Sequence, residues 1–191
     1  MQTAELFLAM SGAKHHAVRH HGASVALLAE RTAHQLRVDK KAAFFAGLLH
    51  DIGKLMLPYR LFDGKDITQA EYEEVKSHAM IGFTTLKDIH LFTALCAGLH
   101  HALYRHGYGL CVEDFPSNWN PATIKKVLEI AAIVSICDFI DAYTTRTTQP
   151  RGMGAKNTGS LLALLIEKYP NDRNIIDAAL AAHKQLFKNK R

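Results

Sequence analysis

Ala42-Ala43-Phe44-Phe45-Ala46-Gly47-Leu48-Leu49-His50-Asp51-Ile52-Gly53-Lys54 is the stretch that decides how this chain folds. An apolar run delivers an imidazole and a carboxylate to the wall of a core, where two polar groups without partners would be costly to bury. A metal ion is the economical partner, because imidazole nitrogen and carboxylate oxygen suit divalent transition metals, and a neutral His beside an ionised Asp needs no proton change to bind one. The dipeptide alone carries little weight, since a histidine at a core edge is more often hydrogen-bonded than metallated. Its weight comes from His21, His78, His100, His101 and Asp138, spaced along the rest of the chain.

Working outward, the chain reads as helical nearly throughout, with no period-2 strands and no repeats. A helix from about Lys14 to Leu36 carries Val25, Leu28, Ala29, Thr32, Ala33 and Leu36 on one face. His21 extends that face by one turn, while His15, His16 and His20 fall out of phase and read as surface residues. Asp39 caps a buried helix over Lys40 to His50. A connection from Leu55 to Lys65 contains Pro58 and Gly64, and Thr68-Gln69-Ala70-Glu71 is a capping box opening a helix to about Leu86. His78 lies at the edge of its apolar stripe. The next helix, about His90 to Leu103, carries His100 and His101. Adjacent helical residues point ~100° apart, so both reach one site only near a helix end.

Tyr104 to Asn120 is the longest irregular stretch, with Gly107-Tyr108-Gly109, Pro116 and Trp119; a long loop directly after two candidate ligands is a place to look for function. Asn120-Pro121 reads as the start of an apolar helix to Thr145. Asp138 continues its buried face, where a carboxylate needs a partner. Asp141 lies one turn further and reads either as a support to the site or as the start of the exposed end. Thr147 to Thr158 is a connection with Arg146 and Arg151 near it. Two closing helices, about Gly159 to Tyr169 and Asp172 to Lys188, read as packing elements without chemistry, and Met1 to Met10 as a short amphipathic helix.

The 191 residues suit one all-α domain spanning the chain, with a core of about 14–188. Three cysteines without CxxC spacing argue for free thiols and a cytoplasmic setting. Neither a signal peptide nor a membrane span is present in the pattern. The net charge of +5 fits an anionic ligand such as a phosphate ester. Basic and aromatic residues do not interleave as a nucleic-acid platform requires.

Four segments together resemble the HD superfamily of metal-dependent phosphohydrolases, and within it the HD-GYP branch that cleaves cyclic di-GMP. They are His21 with Val25 four residues later, Leu48 to Lys54 against L-L-H-D-I-G-K, Thr68 to Gly82 against T-x-x-E…H-P-x-x-G with Ala79 for the proline, and Asp138 to Ala142 against D-x-x-D-A. The likeness covers about Arg19 to Leu180 and implies a single-domain HD-type bundle of about seven helices. The branch's naming motif, H-H-E-x-x-D-G-x-G-Y-P, departs here: His100 and His101 survive, while Ala102 stands for the glutamate, the aspartate is missing and Gly109 replaces the last proline. Ala17 stands where some members carry a glutamate for a third metal. Two divalent ions (Fe or Mn, with Zn, Ni or Mg as alternatives) are therefore implied rather than three, and the case for cyclic di-GMP is weakened.

The resemblance implies that Asp51 bridges the ions, with His21, His50 and Asp138 completing one and His78, His100 and His101 the other. A hydroxide activated by both metals would attack a phosphoester of a nucleotide or cyclic dinucleotide. Lys54 would touch a phosphate oxygen, and Tyr108 and Arg146 or Arg151 would bind substrate. Two other readings stay open: a mixed-valent diiron oxygenase on the same fold, and a regulatory or binding module that has lost turnover with its Gly-Tyr-Pro loop. Asp51→Ala and His50→Ala are each expected to abolish metal loading and any hydrolysis, by metal analysis and turnover assay, whereas replacing His15 is expected to do neither.

Overall fold

The computed structural model describes residues 2–62, 65–111, 114–146 and 160–187. Among them lie α1 (Gln2–Lys14), α2 (His16–Leu36), α3 (Lys40–Leu49), 3-10 turns at Ile52–Met56 and Tyr59–Leu61, α4 (Gln69–Lys76), α5 (His78–Leu86), α6 (Leu91–Leu99), α7 (Pro121–Arg146), α8 (Leu161–Lys168) and α9 (Arg173–Phe187), with no strand. The all-α expectation holds. None of these helices is long and apolar enough to cross a membrane. Gly64 and the expected connection over 147–158, Arg151 included, lie outside the described residues, as does the side chain of Arg146.

The middle of the bundle is α7. Val127, Ile130, Ala131, Ile133, Val134, Ile136, Cys137 and Ile140 are all fully buried, so the helix is enclosed on nearly every side rather than amphipathic. Its start is as read: the Asn120 side chain accepts from the Thr123 N–H at 2.8 Å, and Pro121 follows at the first turn, where its missing N–H leaves nothing unpaired. The α2 and α3 backbones touch through small residues. A Cβ on Gly47 would lie 3.0 Å from the Ala26 Cα, and one on Gly22 would lie 3.2 Å from the Leu48 carbonyl. That approach brings the end of α3, and so His50, against the first half of α2.

Three helix boundaries differ from the sequence expectation, each for a tertiary reason. The N-terminal helix runs to Lys14, and α2 begins only at His16. The break falls at His15, which turns inward to stack on Tyr59 and meet the edge of Phe62, while Lys14 donates to the Leu55 carbonyl. His15 is thus buried and not a surface residue, whereas His16 and His20 are exposed as expected. The expected helix over 68–86 is two: the Ser77 hydroxyl donates to the Glu74 carbonyl at 2.6 Å, closing α4 in the way side-chain bonds end helices. The Thr68–Glu71 capping box is present. Finally, α6 stops at Leu99, where the loop behind it folds back onto its end, with Leu110 N–H bonding the Gly98 oxygen and Tyr108 N–H that of His101 just beyond the helix.

The 3-10 turn after Asp51 lies on α5 so closely that a Cβ on Gly53 would sit 2.0 Å from the His78 carbonyl. Gly53→Ala is expected to force that turn outward, destabilising the protein by about 1–3 kcal/mol. Urea unfolding checks it, and an unchanged midpoint would show that the contact yields freely.

Candidate metal centre

Three histidines reach the site by one local device. His50, His78 and His100 each follow a helix end, and each donates Nδ1–H to the carbonyl three residues back: Gly47 at 2.7 Å, Val75 at 2.6 Å and Ala97 at 2.6 Å. Helix C-termini leave carbonyls unpaired, so the bond satisfies a backbone acceptor and fixes the ring at once. A carbonyl cannot donate, so the Nδ1 carries a proton, and in the neutral tautomer the ring presents a bare Nε2.

Those bare nitrogens surround Asp51, which is buried and sits in the bridge region of the backbone map (φ −98°, ψ 13°). On one side of its carboxylate, Oδ1 lies 3.1 Å from His78 Nε2 and 3.8 Å from His100 Nε2, and those two nitrogens are 3.3 Å apart. On the other, Oδ2 lies 3.4 Å from His50 Nε2 and 3.5 Å from His21 Nε2. His21 is held differently, with Nδ1 2.7 Å from the buried carboxylate of Asp141 and Nε2 2.9 Å from Asp138 Oδ1. Asp141 is therefore a support to the site and not an exposed helix end. His101 lies tilted against His100 with ring centroids 4.0 Å apart, and its Nδ1 meets the Tyr104 hydroxyl at 3.1 Å.

The arrangement is rich in acceptors and poor in donors. His21 Nε2, His50 Nε2 and Asp51 Oδ1 are buried without a hydrogen bond of acceptable geometry; the short His21–Asp138 contact is close in distance but not in line. Burial works against charge on Asp51, but His50 and the Lys54 ammonium hold its carboxyl well below the usual range. Burial likewise opposes charge on Asp138, and His21 reverses it. Burial also opposes charge on His21, yet the carboxylates of Asp138 and Asp141 push its pKa up to about 9. Burial lowers His101 to about 3 and pushes His100 well down. These two imidazoles are neutral, as metal ligands must be.

All seven candidate ligands converge. Close groups able to hold a metal ion are His78 with His100 and His101, His21 with His50 and Asp51, and His50 with His100 and Asp138. Lys54 is buried with its ammonium 2.5 Å from Asp51 Oδ2, so it faces the carboxylate rather than open solvent. Tyr108 lies against His101, ring centroids 4.7 Å apart. Sequence reasoning missed Tyr104, whose hydroxyl contact with His101 depends on how the loop turns after α6. Ala17 is exposed and Ala102 half-buried, and neither offers a ligand atom.

The sequence profile of the HD domain matches residues 18–144. The fold is similar to the crystal structure of the HD domain of the L. monocytogenes phosphodiesterase PgpH, with a TM-score of 0.59 at 20% identity, covering 95% of this chain and 98% of that one. It is also similar to the same domain solved in complex with cyclic-di-AMP, with a TM-score of 0.63 at 19% identity, covering 95% and 96%. No curated protein matches the chain.

Without metal, Lys54 is the cation that compensates Asp51. Lys54→Met is expected to destabilise chelator-treated protein by about 3 kcal/mol, the scale of a buried pair broken from one side. Urea unfolding in EDTA measures this, and a loss of a few tenths would show that Asp51 does not depend on the lysine.

Proposed function

Because the chain belongs to the HD domain family, we propose that it is a metal-dependent phosphohydrolase acting on a phosphoester of a nucleotide or cyclic dinucleotide. The observation that carries the reading is Asp51. Each of its oxygens faces a separate pair of imidazole nitrogens, and no hydrogen-bond donor lies between the acceptors on the Oδ1 side. A carboxylate in that position suits two cations. His21, His50 and Asp138 would complete one site with Asp51, and His78, His100 and His101 the other, as the HD-GYP branch implies.

Divalent ions, when bound, supply Lewis-acid charge that activates water near neutral pH and offsets the charge building on phosphorus. The chain's own residues do the rest. The carbonyls of Gly47, Val75 and Ala97 keep three imidazoles aimed inward, and Asp141 does so for His21. Lys54, whose ammonium pairs with Asp51 Oδ2, would contact a phosphate oxygen where ions neutralise that carboxylate in its place. Tyr108, against His101, offers an aromatic surface to the organic part of a nucleotide. The PgpH domain solved with cyclic-di-AMP supports a cyclic dinucleotide as one form of substrate.

Anaerobically purified protein is expected to hold about two transition-metal ions per chain and, with Mn²⁺ or Fe²⁺, to hydrolyse bis-p-nitrophenyl phosphate. Metal loading and nucleotide binding without turnover would replace this reading with a binding module. Bound iron with O₂-dependent consumption of substrate would replace it with an oxygenase.

A further inference from the structure

Lys168 ends α8, one of the two closing helices that read as packing alone. Its Nζ lies 3.7 Å from the centre of the Tyr104 ring and 4.5 Å from that of Phe139, with the Tyr169 ring 5.8 Å away. Three aromatic faces around one ammonium attract it and fix its place. One of those walls reaches the site, since the Tyr104 hydroxyl meets His101.

Other ammonium groups beside aromatic rings are committed to carboxylates. Lys76, over Tyr72, pairs with Glu73 at 2.7 Å, and Lys126, over Phe92, pairs with Asp39 at 2.8 Å. Lys54 is taken by Asp51. Lys168 forms no ion pair and no side-chain hydrogen bond among the described residues. Burial holds its pKa below the usual lysine range, with the nearby Asp138 charge acting in the opposite direction. Aromatic faces attract a cation but do not accept its N–H groups as an anion does, so the half-buried ammonium keeps its donors for an incoming oxygen.

We propose that Lys168 is an anion-binding residue of the site, its caged ammonium taking a phosphate oxygen of the molecule held at the His/Asp cluster. The inference rests on the phosphohydrolase reading and adds to it a substrate contact from α8. Rigid rings leave little side-chain freedom to lose when the contact forms, which favours tight rather than incidental phosphate binding.

Inorganic phosphate is the probe, titrated calorimetrically into the full chain loaded with Mn²⁺. Lys168→Gln is expected to weaken phosphate binding about 10- to 100-fold, the scale of one charge-assisted hydrogen bond, with metal content unchanged. KM for bis-p-nitrophenyl phosphate is expected to rise more than kcat falls, and Lys168→Arg to restore most of the phosphate affinity. A purely structural lysine would lower the melting temperature and leave the phosphate Kd where it was, which overturns the proposal. Should the Gln variant not fold, the Lys168 Cε resonance of ¹³C-lysine-labelled wild type, assigned through the Arg variant, is expected to shift as phosphate is added, and a static resonance overturns the proposal. Wild type that loads metal and turns over while Lys168→Gln binds phosphate equally well defeats this inference alone. Wild type that loads no metal defeats the phosphohydrolase reading beneath it.

Discussion

A buried carboxylate faced by hydrogen-bond acceptors is the constraint on which this molecule depends. Asp51 stays ionised inside the protein only because positive charge is supplied to it, and Lys54 supplies part on one oxygen. The opposite oxygen has two imidazole nitrogens near it and no donor aimed at it. Everything that keeps those nitrogens bare is backbone. Three helix ends, those of α3, α4 and α6, converge on the cluster, and each gives up a carbonyl to an Nδ1–H. The same ends point the negative poles of their helices inward, which adds to the preference of the site for a cation. Folding the bundle and building an acceptor cage are thus the same event.

That coupling explains what could be read from the residues and what could not. Helical period alone put His21 in phase with the buried stripe of α2 and Asp138 with that of α7, and both side chains do face the cluster. His100 and His101 point to one place because α6 ends just before them. Features set by contact between distant segments were out of reach. His15 is buried because Tyr59 and Phe62 come to it, a pairing that helical phase does not contain. The role of Asp141 depends on a bond to His21 across most of the chain. The ring contacts of Lys168 join α8 to α7 and to the loop after α6, so an isolated reading of its helix finds only a solvated lysine.

The loop after α6 shows a physical cause for one departure from the HD-GYP pattern. Gly109 adopts φ +122°, and a Cβ there would lie 2.2 Å from the Gly98 carbonyl. Proline, with φ fixed near −65°, cannot take that conformation. The chain turns back onto α6 instead, burying Leu110 in the core and setting Tyr108 against His101. The histidine-bearing helices and the loop beside them are therefore under different restraints. A bundle can keep its acceptor cage, fixed by helix ends, while the loop beside it is rebuilt around a glycine.

Protons offer the simplest alternative way to satisfy such a cage, and they suffice on only one side of Asp51. His21 holds a proton well, since the carboxylates of Asp138 and Asp141 press on that ring and its pKa rises to about 9. Across the carboxylate the balance reverses. Burial and the neighbouring imidazoles keep His100 well below its ordinary range, and burial keeps His101 near 3. His78 and His100 already use their Nδ1–H groups on carbonyls and face each other at 3.3 Å with Asp51 Oδ1 alongside. With His100 neutral, several lone pairs converge there, an arrangement that suits a charge bringing its own coordination. A divalent ion is such a charge, because it accepts several lone pairs at once where a proton accepts two at most.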